Sequence, residues 1–364
     1  MINKSLVNGG RTFGIELEMV NILPKNIMAN ILCDNGLATY IWDDHSHWKL
    51  PQGYDFGVKR DGSINPHNSD FAWHTCEFIT RPMNYCDNDL HKLEQALKVI
   101  SRIGGEVNKS TGFHIHWGFQ SKELTMPFLR SLYNLCYRYE NIIYGLVAPS
   151  RKRNHYCSPL PSKTRVRDVD NYRDFMGQAG GDRYGCNFSA LVKSRDRLTL
   201  EFRYHQGTLD FKKVSAWILF TQRLIEHSKN RFCGSKNRLP NDKKNLYNLL
   251  YTIGMKENSK IYLEVEKPIR DAGIVLVNNW KKFNEEAEKE AKPLTARPDN
   301  MEAIRQQLSG TIPIQAQPSS QVWTIGNNGG SVVIPAPTTQ ARPIAYPYDI
   351  RLLRELYGET GTET

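Results

Sequence analysis

Cysteine pairs at redox or zinc-knuckle spacing are missing from this 364-residue chain. Its 7 cysteines, Cys33, Cys76, Cys86, Cys136, Cys157, Cys186 and Cys233, are scattered with no C-x-x-C among them. That excludes a disulfide-stapled scaffold, which a chain of this size does not need, and makes a reducing cytoplasm the expected setting. Long apolar runs are missing as well: no stretch reaches the roughly eighteen residues that a membrane span requires. The opening residues, MINKSLVNGGRTFGIELEMV, place Glu16 and Glu18 where a signal peptide would be apolar, so no membrane partner and no conventional export are expected. Acidic residues are outnumbered, 38 Asp and Glu against 48 Lys and Arg, giving a net charge of +10. Such a surplus suits phosphate, whether of nucleic acid or of a nucleotide.

What is present divides into three stretches. Residues 1–232 alternate strand-like and helix-like segments without low-complexity breaks and read as one α+β catalytic body. Residues 233–292 carry two helical patterns, NLYNLLYTIGM and VLVNNWKKFNEEAEKEAK, read as a helical appendix. Residues 293–364 shift to Pro, Gln, Ser, Thr and Gly, as in QAQPSSQ and GNNGGS, and read as a flexible tail with a short C-terminal helix, DIRLLRELY.

Within the body, four segments alternate with period two: FGIELEM from Phe13, CEFITRP from Cys76, FHIHWGF from Phe113 and LTLEFRY from Leu198. They predict strands of a largely antiparallel sheet with one apolar face. Helices are predicted over residues 89–103, ending at Gly104-Gly105, and over 127–146 and 214–227, and they should cover the apolar face.

The opposite face carries the chemistry. Glu16 and Glu18 project to one side of their strand, and two neighbouring carboxylates repel unless a cation lies between them. Glu77, His114, His116, Glu201 and Arg203 also stand opposite the apolar residues of their own strands. A solvated face mixes Lys, Ser and Thr with Glu, whereas these faces are nearly all Glu and His, types that ligate divalent metal. Each residue alone reads more simply as surface; the joint pattern favours metal.

The ordered motifs FGIELE, RDGSI, CEFITRP, TGFHIHWG, RYGCNF and LTLEFRYHQGTLD, spanning residues 11–230, resemble those of the amidoligase family, within the glutamine synthetase and glutamate–cysteine ligase superfamily. The resemblance implies a glutamine-synthetase-like antiparallel sheet and an ATP-dependent carboxylate–amine ligase that works through an acyl phosphate. It implies Glu16, Glu18, Glu77, His114 or His116, and Glu201 as ligands to Mg2+ or Mn2+, with His114 matching the ligand position better than His116. Arg203 is then the first choice for the cation at the transferring phosphoryl group. Arg81 and Arg183 are further candidates for phosphate or substrate carboxylate, against the simpler reading of surface ion pairs. Asp61 and Ser63 of the Asp-Gly-Ser turn are expected at the nucleotide end, although by spacing alone they are only a turn.

The segment SRKRNHYCSPLPSKTRVRD from Ser150 suits a basic loop over the cleft or a solvated one, and Cys157 and Cys186 read as packing residues. The partners implied are a carboxylate-bearing substrate and an amine acceptor, a peptide or a modified macromolecule among them. Three other readings stand beside this one. A zinc hydrolase could use His114 and His116, or the second pair His45 and His47, and would need further ligands, for which only His205 and His227 follow. A nucleic-acid-binding protein or nuclease would suit the charge, but no zinc-finger or RNA-recognition signature is present. A degenerate ligase acting as a scaffold would not need the retained acidic set.

Overall fold

A computed structural model of the chain describes residues 11–20, 23–42, 50–64, 75–152, 154–161, 171–189, 191, 198–234, 236–256 and 267–291. The chain divides into two compact units, Met1–Pro293 and Leu294–Thr364. All described residues belong to the first, so the expected tail and its terminal helix lie outside them, as do His45 and His47.

The first unit is built on one seven-stranded sheet: β1 (Phe13–Val20), β2 (Thr39–Ile41), β3 (Phe56–Arg60), β4 (Thr75–Thr80), β5 (Gly112–Gly118), β6 (Cys186–Asn187) and β7 (Thr199–Gln206). The order is β2-β3-β4-β1-β5-β7-β6. Neighbours run antiparallel except β2 and β3, which are parallel. Four of these strands are the four alternating segments of the sequence. The other three, the edge strands β2 and β6 and the inner strand β3, are short, and too few of their residues alternate to stand out from a loop. With β1 at the centre between β4 and β5, the segment richest in paired carboxylates has neighbours on both sides.

Among the described residues, eight α-helices accompany the sheet: α1 (Lys25–Asp34), α2 (Asp87–Arg102), α3 (Met126–Gly145), α4 (Pro149–Lys152), α5 (Tyr172–Ala179), α6 (Phe211–Asn230), α7 (Lys243–Thr252) and α8 (Lys267–Ala291). Local signals set several starts. Asp210 caps α6 by accepting from the Lys212 and Lys213 amides, Asp242 caps α7, and Thr125 caps α3 with Pro127 in its first turn. Helix α2 ends at Gly104, whose φ of 84° is left-handed and favours glycine. The α1 and α5 helices are shorter and were not among the expected elements.

Phe13, Ile15 and Leu17 of β1, Phe78 of β4, Phe113, Ile115 and Trp117 of β5, and Leu200 and Phe202 of β7 are fully buried on one side of the sheet. At about 1.5–3 kcal/mol for each large apolar side chain, this layer is a principal source of stability. Helix α6 closes over it: the Trp117 indole N–H donates to Thr221 at 2.9 Å, and Trp217 lies 5.0 Å from the His205 ring. Helices α7 and α8, expected as an appendix, contribute Leu246, Leu249, Leu250, Ile269 and Leu276 to the same buried cluster. Among the described residues, no helix is long and apolar enough to cross a membrane.

One irregularity matters for the site. Phe113 pairs with His205 but Ile115 pairs with Phe202, so two steps along β5 span three along β7. This bulge turns the later side chains of β7 over. His205, which strict alternation from Glu201 would leave on the polar face, sits instead among Phe113 and Trp217.

Candidate active site

The register assembles the polar face residue by residue. Glu18 stands opposite Glu77, Glu16 opposite His114, and His116 opposite Glu201. A belt of Glu and His thus crosses four strands, with Lys59 of β3 opposite Glu77 at one end and Asn187 of β6 opposite Glu201 at the other.

The ligating atoms fall into two overlapping groups: Glu16, Glu77 and His114, and Glu16, His116 and Glu201, each with atoms mutually within 4.8 Å. His114 Nδ1 is 3.4 Å from Glu16 Oε2 and 3.4 Å from Glu201 Oε1, and its Nε2 is 3.7 Å from Glu18 Oε1. His116 Nε2 is 3.1 Å from Glu16 Oε1, an ion-pair distance outside hydrogen-bonding geometry. The Nε2 atoms of both histidines are buried without a hydrogen-bond partner. Orphaned imidazole nitrogens facing carboxylate oxygens suit a divalent cation, since it would satisfy both.

The electrostatics agree. Burial, and then the neighbouring Glu16, push Glu77 well above the usual carboxylate range. Burial also works against Glu16, but His116 and His114 outweigh it and hold that carboxyl well below its usual range. For His116, burial is overcome by Glu16 and Glu201, which raise it to about 9. Glu16 and His116 thus support one another's charged forms, whereas Glu77 faces a second carboxylate in a buried setting, a repulsion that a bound cation would relieve.

Cations border the belt. Arg203 Nη1 lies 2.5 Å from Glu201 Oε1, and its Nε donates to the Tyr156 carbonyl at 2.9 Å. Lys59 Nζ lies 2.5 Å from Glu77 Oε2. Neither Lys59 nor Arg151 was singled out from the sequence. Arg151 of α4 is fully buried; its Nη2 donates to the Arg203 carbonyl at 2.8 Å, while its Nε has no hydrogen-bond partner. Gly112 explains the close packing here. Its amide donates to Glu18 Oε2 at 2.6 Å, and a Cβ on it would come within 2.6 Å of His114 Nε2. Asn187 completes the far end by donating to Glu201 Oε2 at 2.6 Å. Its motif, RYGCNF, offers Arg183 as the more conspicuous candidate; only the pairing of β6 with β7 singles out the asparagine.

The structure does not bring every candidate to the belt. Arg81 is drawn to Asp55 at 2.9 Å and Asp89 at 2.6 Å, tying the end of β4 to α2, because the chain bends after Thr80 and those carboxylates are nearer. The simpler reading expected an ion pair at the surface; the pairs are instead largely buried on the carboxylate side. Arg183 is exposed, 5.1 Å above the Tyr156 ring, on the residue whose carbonyl holds Arg203. Asp61 accepts from the Ser63 amide at 2.7 Å, making the expected turn beside Lys59, and Ser63 is exposed. Cys157 and Cys186 are fully buried, and burial pushes both thiols up, away from nucleophilic character. His205 is fully buried in the apolar layer and His227 lies on α6, so neither joins His114 and His116 in a zinc set.

Charge is buried at this density where chemistry needs it, since each such group costs stability unless a ligand compensates it. The polar face across β1, β4, β5 and β7 is therefore the candidate active site. Residues 9–225 match the family model described as "Putative amidoligase enzyme", and the chain belongs to that family, in agreement with the ordered motifs. No curated protein matches the sequence. Solved structures similar to it include the crystal structure of a bifunctional glutathione synthetase from Pasteurella multocida, at 13% identity and a TM-score of 0.37. That similarity covers 77% of this chain and 48% of the other, so this chain spans under half that protein's length, and a likeness so distant carries no functional argument.

Proposed function

We propose that the protein is an ATP-dependent carboxylate–amine ligase with a glutamine-synthetase-like site, joining a carboxylate-bearing substrate to an amine as an amide or isopeptide. The observation that carries this reading is the pair of donor groups sharing Glu16, with Arg203 fixed at one end. Glu16, Glu77 and His114 would hold one Mg2+ or Mn2+, and Glu16, His116 and Glu201 a second. When bound, such ions neutralise charge on the transferring phosphoryl group.

A free carboxylate acylates poorly because oxide is a poor leaving group. Transfer of the γ-phosphoryl group of ATP to a carboxylate oxygen gives an acyl phosphate and ADP. Attack by the amine on the acyl carbon then expels phosphate, and the nitrogen loses a proton as the amide forms. Arg203 is positioned for the phosphoryl oxygens: Tyr156 holds its Nε, which leaves the rest of the guanidinium at the polar face beside Glu201. Glu18, expected as a ligand, falls outside both donor groups: its Oε2 accepts from the Gly112 amide and its Oε1 lies 3.7 Å from His114 Nε2, beyond hydrogen-bond reach. Arg183 at the rim suits a substrate carboxylate, and the turn of Asp61 and Ser63 beside Lys59 suits the nucleotide end. A peptide or other modified macromolecule is among the acceptors, and the net charge of +10 favours an acidic partner.

The test is ADP release by the purified protein with Mg2+ or Mn2+ across a matrix of carboxylates and amines, with Glu16→Gln as control. Turnover that needs both substrates and disappears in the variant supports the ligase. Turnover that survives Glu16→Gln refutes the site assignment, and stoichiometric zinc without turnover supports the hydrolase instead.

A further inference from the structure

Arg203 lies in the bulge of β7. Between the pairs Phe113–His205 and Ile115–Phe202, two residues of β7, Arg203 and Tyr204, stand opposite the single residue His114 of β5. A bulge takes its residues out of the regular ladder, so their backbone groups need other partners. The Arg203 amide donates to the Gly185 carbonyl at 2.7 Å, and the Arg203 carbonyl accepts from Arg151 Nη2 at 2.8 Å. A side chain from α4 therefore holds the bulge at the residue whose guanidinium borders Glu201.

Arg151 is fully buried. Among the described residues its side chain donates that one hydrogen bond, to a neutral carbonyl rather than a carboxylate, and its Nε has no partner. A guanidinium desolvated for one neutral hydrogen bond contributes little net stability. Its surroundings show what the position does instead. The segment from Arg151 to Cys157 grips Arg203 twice, through the Arg151 side chain and through the Tyr156 carbonyl, which accepts from Arg203 Nε at 2.9 Å. That segment is itself fixed: Cys157 Sγ donates to the Arg151 carbonyl at 2.9 Å, and the Tyr144 hydroxyl of α3 donates to the Cys157 carbonyl. Helix α3, the segment and the bulge form one chain of contacts that ends on the Arg203 guanidinium.

We propose that Arg151 is a positioning residue: by holding the carbonyl of the bulge it keeps Arg203 on the polar face, directed at the phosphoryl group that transfers. This rests on the ligase reading, in which Arg203 neutralises that group. In this role Arg151 touches neither substrate nor metal, and its effect on the reaction passes through Arg203.

The experiment compares wild type, Arg151→Met, Arg151→Lys, Arg203→Lys and the double variant of Arg151→Met with Arg203→Lys, using the carboxylate and amine that sustain ADP release in the matrix above. Arg151→Met is expected to lower kcat about 10²-fold with KM for ATP within about twofold. Its unfolding temperature stays close to wild type, since the lost hydrogen bond and the removed buried charge offset each other. Arg151→Lys keeps a donor for the carbonyl and loses only about tenfold. In the Arg203→Lys background, Arg151→Met lowers kcat by no more than about twofold further, because the group it positions is gone. A second readout needs no substrate: the Arg203 Nε–H NMR signal, assigned by its absence in Arg203→Lys, is sharp in wild type and Arg151→Lys and broadened in Arg151→Met. Losses that multiply in the double variant, an unfolding temperature that falls while kcat holds, or an unaltered Arg203 signal each overturn the proposal. If Arg151→Met does not fold, Arg151→Lys takes its place in the cycle, where a loss that persists in the Arg203→Lys background overturns it. No ADP release by wild type with any pair overturns the ligase reading and this role with it.

Discussion

The two faces of the sheet are made from alternate residues of the same strands, yet they are built to opposite rules. On one, Leu17, Phe78, Ile115 and Phe202 are fully buried and their needs are met by packing alone. On the other, Glu16, Glu77, His114 and Glu201 crowd together, leaving imidazole nitrogens without partners and Glu77 pushed well above its ordinary range. The apolar face is where the fold draws its stability. The polar face draws on it, as active sites do when groups are pre-arranged for a ligand rather than for one another.

If that contrast is right, substitutions on neighbouring residues of one strand should separate binding from stability. Glu16→Gln should cost most in function: Mn2+ binding lost and ADP release reduced by about 10³-fold or more, with an unfolding temperature equal to or above wild type. A variant that lost stability in step with activity would break the comparison. One residue along, Leu17→Ala should destabilise by about 3–5 kcal/mol in urea unfolding, with Mn2+ affinity within about twofold of wild type.

The exception on the apolar face is His205. Burial pulls it from 6.5 down to about 3, so it stays neutral in the fold while the unfolded chain takes up a proton below pH 6.5. Its stabilising contribution is full above pH 6.5 and is lost as pH falls from there toward 3, about 2 kcal/mol of it by pH 5. His205→Phe should flatten that fall, read as unfolding temperature at pH 7.5 and pH 5; an unchanged slope would show that another group governs it. Smallest of all, Arg81→Ala should cost about 1 kcal/mol through its partly exposed ion pairs and leave ADP release unchanged. A large loss of turnover would return Arg81 to the site.

Much of this was legible in advance because side-chain alternation is a local property. FGIELEM, FHIHWGF and LTLEFRY each state which residues share a face, and the family's motifs state their order. Lys59 was missed because a lysine on a short strand looks like any solvated lysine until β3 is paired with β4. Arg151 was missed because a basic loop residue gives no hint that it will be fully buried. His205 shows the limit from the other side, since alternation holds only until a bulge interrupts it.

By itself, then, the sequence determined the strands at the heart of the sheet, the division of their side chains between two faces, and the set of carboxylates and histidines on one of them. Only the tertiary structure decided which of those groups approach within ligating distance, that Arg81 pairs elsewhere, and that Lys59, Arg151, Gly112 and Asn187 lie against the polar belt. The reason is physical: the period of a strand is set by its own backbone, whereas register and the neighbours it supplies depend on pairing between segments far apart in the chain.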